Sequence, residues 1–279
     1  MKKVSINGSN LKSYCELDIA GSKSESNRIL ILKSIFNNIK INNLSSSDDT
    51  SVLNHSLQNL NENIDVGHAG TSMRFLTAYL ATLENKKFII SGSDRMHQRP
   101  IGLLVDALNS LGFKVNYLDK RGFPPLEIIG SKNLHHEVVL KSHISSQFVS
   151  ALTLIAPSLD NGLRIILQDD ITSKPYINMT ISILNKIGVD ATFEKNLINV
   201  KPLKKINDII YDVESDWSSI SYFFSMVALT KNLKLSISNY KKESFQGDVN
   251  VCKYYETYGI KTVFVGNRLI ITRDETKNL

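Results

Sequence analysis

The sequence predicts an α/β protein built from repeated βαβαββ units, and two independent spacings predict it. Three stretches, RPIGLLVDALNSLGFKVNYLDKRGFPPLEIIG, KPYINMTISILNKIGVDATFEKNLINVKP and GDVNVCKYYETYGIKTVFVGNRLIITRD, share one order. Each reads as an amphipathic helix closed by a glycine, then a strand, a turn and a second strand. The closing glycines, Gly112, Gly188 and Gly259, lie 76 and 71 residues apart. Glycine suits a helix end because it adopts the left-handed conformation at little cost. A second helix precedes each stretch, in GTSMRFLTAYLATL, SSQFVSALTLIA and SSISYFFSMVAL, opening on Gly, Thr or Ser. Counted from Gly70, Ser145 and Ser218, these helices are spaced by 75 and 73 residues. Both markers give a period of roughly 70 residues, the size of one supersecondary unit that needs neighbours to bury its apolar face.

The remaining elements follow in order. Residues 21–60 supply two helices, SESNRILILKSIF and DDTSVLNHSLQNL, without a matching strand pair, as the helical part of a further unit. The segment 203–213 leads from the second complete unit to the third. A domain crossing near Tyr211 to Glu214 makes residues 21–212 one complete domain, with 1–20 and 213–279 forming part of a second. A chain of 279 residues fits two domains better than one.

Composition narrows the function. Hydrophobic residues make up 42%, enough for real cores. No apolar run approaches the ~20 residues that span a bilayer, and the N-terminus lacks the apolar stretch of a signal peptide. Two isolated cysteines, Cys15 and Cys252, argue against a disulfide scaffold or zinc site and for a reducing cytoplasm. The net charge of +6 suits anionic partners. The lysines are scattered, however, so small phosphorylated or carboxylated substrates are expected rather than nucleic acid or a membrane.

Several helix starts concentrate anion-binding groups. In GSKSESNR, Lys23 and Asn27 share a face, as do Ser24 and Arg28. The free N–H groups of a helix start bind anions, whereas cations there oppose the helix dipole unless an anion lies between them. HAGTSMRF repeats this chemistry: Gly70 permits close backbone approach, Thr71 or Ser72 can cap, and Arg74 is again a cation at that end. For Arg74, pairing with a neighbouring carboxylate is the alternative. In SDRMHQRP, Arg95 and Arg99 flank a loop before Pro100, read as a helix opener, with His97 incidental. HISSQF and TSKPY add Ser145, Ser146 and Gln147, then Ser173, Lys174 and Tyr176. Each alone is an ordinary cap; repeat symmetry could gather them on one face. His135 and His136 beside Glu137 lack a third ligand at metal spacing, so no metal is expected.

GSKSESNR, HAGTSMRFLTA, DRMHQRPIGLLVDAL, SSQFVSAL, SKPYI and QGDVN, in that order and with fitting gaps, resemble the motifs of the EPSP synthase (3-phosphoshikimate 1-carboxyvinyltransferase) family. The resemblance implies two similar domains, an inside-out α/β barrel architecture in which each domain has three βαβαββ units. It implies a cytoplasmic, monomeric transferase of the shikimate pathway, without cofactor, carrying the enolpyruvyl group of phosphoenolpyruvate to the 5-hydroxyl of shikimate 3-phosphate. Lys23 would contact both substrates. Ser24 and Arg28 would hold the shikimate carboxylate side, and Ser145, Ser146 and Ser173 the 3-phosphate. Gln147 and Tyr176 would position the substrate. Gly70 and Arg99, with Lys23 and Gln147, would take phosphoenolpyruvate. His68 stands where the family often has Asn. The six-unit family pattern implies that the second domain here is incomplete and that its acid/base pair has no counterpart in this chain. A non-catalytic shikimate-3-phosphate-binding fragment is therefore the alternative. The sister UDP-N-acetylglucosamine enolpyruvyl transferases fit less well, because SGSDRMHQR lacks their cysteine and GSKSESNR their Gly-Lys-Asn start.

Overall fold

The structure, a computed structural model, describes residues 12–140, 145–168 and 173–274. The chain forms two compact units, Gly21–Val213 and Met1–Ala20 with Glu214–Leu279. Residues 1–11, expected in the second domain, lie outside the described residues.

The described chain enters with β1 (Tyr14–Leu17) of the smaller unit and crosses to the larger one at Gly21. There α1 (Lys23–Ile35), β2 (Ile39–Asn42) and α2 (Asp48–Gln58) come first. Two complete βαβαββ units follow. The first is β3 (Asn63–Asp65), α3 (Gly70–Ala81), β4 (Lys87–Ser91), α4 (Gly102–Ser110), β5 (Lys114–Tyr117) and β6 (Leu126–Ile129). The second is β7 (Glu137–Leu140), α5 (Ser146–Ile155), β8 (Leu163–Leu167), α6 (Lys174–Lys186), β9 (Ala191–Glu194) and β10 (Leu197–Val200). After β11 (Ile209–Asp212) the chain returns to the smaller unit as α7 (Trp217–Leu229), β12 (Lys234–Ser238), α8 (Val251–Glu256), β13 (Ile260–Val265) and β14 (Arg268–Arg273).

Three sheets repeat one order: β3-β4-β6-β5, β7-β8-β10-β9 and β1-β12-β14-β13. In each, the first pair is parallel, as a helical crossover requires, and the rest antiparallel, as the short turn allows.

Two strands exchange places, which corrects the sequence-based reading. β11 does not lead into the third unit's sheet. It pairs in parallel with β2, Ile209 beside Ile39, and so supplies the front helices with the strand pair they were expected to lack. The third unit takes its first strand from β1 instead, with Tyr14 beside Lys234. Periodicity reports how elements alternate along the chain. It does not say which parallel edge a strand joins when two edges are on offer.

The helix-ending glycines behave as their spacing implies, with φ of 97° at Gly112, 96° at Gly188 and 73° at Gly259. The repeat also carries a side-chain clamp. Val115 N donates to Asn109 Oδ1 at 2.9 Å while Asn109 Nδ2 donates to the Val115 carbonyl at 3.0 Å. Ala191 and Asn185 repeat this at 3.0 and 2.9 Å. Each clamp fixes the strand that follows the glycine. Asn109→Ala and Asn185→Ala should each cost about 1–2 kcal/mol in urea unfolding, since each leaves two backbone groups short of a partner. Glu256 occupies the equivalent place before Gly259, and Glu256→Ala should cost far less.

Within the larger unit α1, α3 and α5 pack on one another and are the most buried helices. Their repeat relation extends to hydroxyls: Thr77 Oγ1 donates to Met73 O and Thr153 Oγ1 to Val149 O, both at 2.7 Å. Among the described residues no helix is long and apolar enough to cross a membrane.

Candidate functional site at the helix starts

Ser22 caps α1, its hydroxyl accepting from Glu25 N at 3.5 Å. A Cβ on the preceding Gly21 would lie 1.9 Å from the Asn43 carbonyl oxygen, so only glycine brings the chain in here. Lys23 is exposed on the first turn, Ser24 half-buried, and Arg28 one turn further is buried.

Arg28 is more enclosed than a cation reaching into solvent. Nε donates to Thr180 Oγ1 at 2.8 Å, Nη1 to Ser24 O at 2.8 Å, and Nη2 to Ser150 Oγ at 3.0 Å and Tyr176 O at 3.1 Å. The Phe75 and Tyr176 ring centroids lie 5.6 and 5.9 Å from the guanidinium carbon. One side chain thus joins α1, α3, α5 and α6, and one Nη1 N–H stands outside these four bonds. Burial pushes the guanidinium down to about 10, against the favourable fields of Tyr176 and Glu25, so it stays cationic at neutral pH.

The start of α3 is capped from another helix. Neither Thr71 nor Ser72 caps, contrary to expectation; Ala69 occupies the cap position. Asp49 of α2 accepts from Ser72 N at 3.3 Å and Ser72 Oγ at 2.9 Å. Asn27 donates to the same carboxylate oxygen at 3.2 Å. A carboxylate does this better than a hydroxyl because the α3 start is positive. The Thr71 hydroxyl is left to accept from Gln147 Nε2 of α5 at 3.5 Å.

Arg74 is neither carboxylate-paired nor in solvent. It is buried and donates to Gly70 O at 3.1 Å, Met96 Sδ at 3.5 Å and Pro100 O at 2.8 Å. Burial, then the neighbouring positive charge of Arg99, pushes it down to about 10. Pro100 therefore does not open α4, which begins at Gly102 after an Ile101 cap; its carbonyl is tied to Arg74. Arg99 reaches the start of α3, where a Cβ on Gly70 would lie 2.1 Å from Arg99 Nη1. His68, Arg95, Met96 and Arg99 line an adjoining cavity of about 420 Å³. Arg74 and Arg99, side by side at the positive start of α3, form a place where an anion relieves repulsion.

At α5, Ser145 caps by accepting from Gln147 N at 3.3 Å, with Ser146 and Gln147 half-buried. At α6, Ser173 holds the cap position but makes no capping bond, and Tyr176 is 40% exposed. The fold therefore gathers Ser24, Arg28 and Tyr176 in one cluster and Gly70 with Arg99 in another, with Gln147 to Thr71 reaching the start of α3. His97 bonds Ser91 Oγ at 2.9 Å through Nε2. Among the described residues no group of three or more His, Cys, Asp or Glu could hold a metal. Sequence reasoning missed Asp49, Ser150 and Thr180. The last two were visible only as lone hydroxyls inside apolar helices.

The EPSP synthase (3-phosphoshikimate 1-carboxyvinyltransferase) profile matches residues 58–278. A Bacteroides fragilis (strain YCH46) protein named 3-phosphoshikimate 1-carboxyvinyltransferase is 36% identical over 261 residues, covering 93% of this chain and 63% of the relative. A protein of the same name from Pseudoalteromonas translucida is 33% identical over 290 residues, covering 92% and 67%. The fold is that of an EPSP synthase from Acinetobacter baumannii, with a TM-score of 0.73 at 17% identity over 92% of this chain and 63% of that one. The chain spans just under two thirds of the Bacteroides relatives' length.

Proposed function

Because the chain belongs to the EPSP synthase family, we propose that it serves transfer of the enolpyruvyl group from phosphoenolpyruvate to the 5-hydroxyl of shikimate 3-phosphate, in the cytoplasm. Residues 21–212 act as the substrate-binding domain. The Arg99 guanidinium lying on the start of α3 at Gly70, with Gln147 of α5 bonded to Thr71, is the observation that supports this best.

In this reading Ser145, Ser146 and Ser173 take the 3-phosphate, and Ser24, Arg28 and Tyr176 the ring and carboxylate. Gly70, Arg99, Gln147 and Lys23 take phosphoenolpyruvate. The 5-hydroxyl oxygen bonds to C2 of the enol, C3 gains a proton, and the hydroxyl proton leaves. The tetrahedral intermediate then expels phosphate as C3 loses a proton. Lys23 and Arg99 stabilise the phosphate charge as it moves. The proton-transferring pair has no assignment among these residues, so a second reading is binding of shikimate 3-phosphate without turnover.

Phosphate release with both substrates separates the two: steady release supports transfer, and saturable binding without release supports the second reading. The serines at the cap positions of α5 and α6 give a further contrast. Ser145→Ala should cost about 1 kcal/mol of stability because it removes a cap. Ser173→Ala, whose hydroxyl caps nothing, should leave urea unfolding unchanged yet weaken shikimate 3-phosphate binding about tenfold, the worth of one charge-assisted hydrogen bond.

A further inference from the structure

GHAGTS carries the chain from β3 into α3, and SGSDRMHQR runs on from the end of β4. The two segments meet backbone to backbone: a Cβ on Gly92 would lie 2.6 Å from Gly67 O, and Ser93 N donates to that oxygen at 3.0 Å. Ser93 Oγ then pairs with His68 Nδ1 at 2.7 Å. Met96 N reaches the same hydroxyl oxygen at 3.4 Å, which leaves the Ser93 proton to go to Nδ1. In a neutral imidazole that places the ring proton on Nε2, which makes no hydrogen bond among the described residues.

His68 lines the cavity of about 420 Å³ together with Arg95, Met96 and Arg99. Among the described residues neither arginine forms an ion pair. The other charged or titratable groups of these segments are engaged elsewhere. Asp65 Oδ1 accepts from Gly67 N at 2.7 Å, Asp49 accepts from Ser72 N, Arg74 is held by carbonyls and His97 by Ser91. Asp94, exposed beside Ser93, is not part of the lining. Each polar side chain of the lining is therefore a donor, and none is a carboxylate. Such a lining selects an anion.

We propose that His68 is a third anion-binding side chain of this cavity: as an imidazolium it donates from Nε2 to the phosphate that Arg99 holds, and binding takes up a proton. The proposal rests on the reading of the α3 start as the phosphoenolpyruvate site, and extends it. Guanidinium keeps its charge across the working pH range, whereas imidazole is the side chain that gains one between about pH 8 and 5. A doubly charged anion in the cavity favours the protonated ring, and by linkage the protonated ring favours the anion by the same factor.

Sulfate is the probe, because it stays a dianion where a phosphate monoester itself gains a proton, near about pH 6. It is titrated into the whole chain at about pH 5.5 and about pH 8, at one ionic strength, and followed by NMR of the histidine rings. The His68 ring is identified by its loss in His68→Gln. Binding should be about 5–10-fold tighter at the lower pH, and saturating sulfate should make the His68 ring titrate at higher pH. His68→Gln keeps a neutral donor; it should bind as the parent does at the higher pH and gain little at the lower. Arg99→Ala should weaken binding at both. Binding that needs Arg99 but keeps its full pH dependence in His68→Gln, or a His68 titration that sulfate does not move, overturns the role of His68 and leaves the anion site standing. Absent binding, or binding that Arg99→Ala does not weaken, overturns the site itself and the role of His68 with it.

Discussion

Arg28→Ala is expected to destabilise the larger unit by about 3–5 kcal/mol and to abolish measurable shikimate 3-phosphate binding. The side chain is buried and is the shared donor for Thr180, Ser150, Ser24 O and Tyr176 O. Its removal leaves those groups short of a donor among α1, α5 and α6 and opens a cavity that a methyl group cannot fill. Typical domains are stable by about 5–15 kcal/mol, so the variant should fold but unfold at markedly lower urea.

Arg28→Lys keeps a charge but not the planar fork, and should recover part of the stability while binding stays weak. A separate variant, Thr180→Val with Ser150→Ala, removes two of the groups that aim the guanidinium. It should weaken binding with a smaller stability loss than Arg28→Ala. The pH dependence follows from the direction of the shift. The folded guanidinium is pushed down to about 10, well below its ordinary value, so folding disfavours its charged form. That penalty is complete below about 10 and is relieved only as pH rises through it. The difference between parent and Arg28→Ala should therefore be flat between about pH 6 and 9.

Gly70→Ala should show the opposite division. The added Cβ would lie 2.1 Å from Nη1 and 2.4 Å from Nη2 of Arg99, the far end of a flexible side chain that can swing away. Alanine is also the better helix former by about 1 kcal/mol. Stability should be nearly unchanged, while affinity for phosphoenolpyruvate should fall about 10–100-fold, because Arg99 and the helix N–H groups no longer share one anion. Equal affinity in this variant would mean that the start of α3 is not where phosphoenolpyruvate sits. Arg99→Ala should lose a similar factor, and adding Gly70→Ala to it should cost little more, since both act on one contact.

The repeat was legible because its markers are local. A glycine at a helix end with φ near 97° and a hydroxyl at a helix start are decided by a few neighbouring residues. The exchange of β1 and β11 between sheets was not legible, since both are short strands and the choice of edge depends on the whole tertiary arrangement. The Asn109 and Asn185 clamps lay in plain view as LNSLG and LNKIG, but an asparagine three residues before a C-cap glycine reads as an ordinary helix-end residue until its partner strand is present. Candidate site residues were found where chemistry clusters in sequence, as in GSKSESNR. Those supplied by distant helices, Asp49 to Ser72 and Thr180 to Arg28, carry no local sign.

The most direct test of the central claim is calorimetric titration of the whole folded chain with shikimate 3-phosphate. Saturable heat with one site per chain, weakened by added salt and by Arg28→Lys and lost in Arg28→Ala, is the predicted result. A chain that is folded by circular dichroism yet gives no heat and no spectral change at saturating shikimate 3-phosphate would contradict the assignment of these helix starts as its binding site.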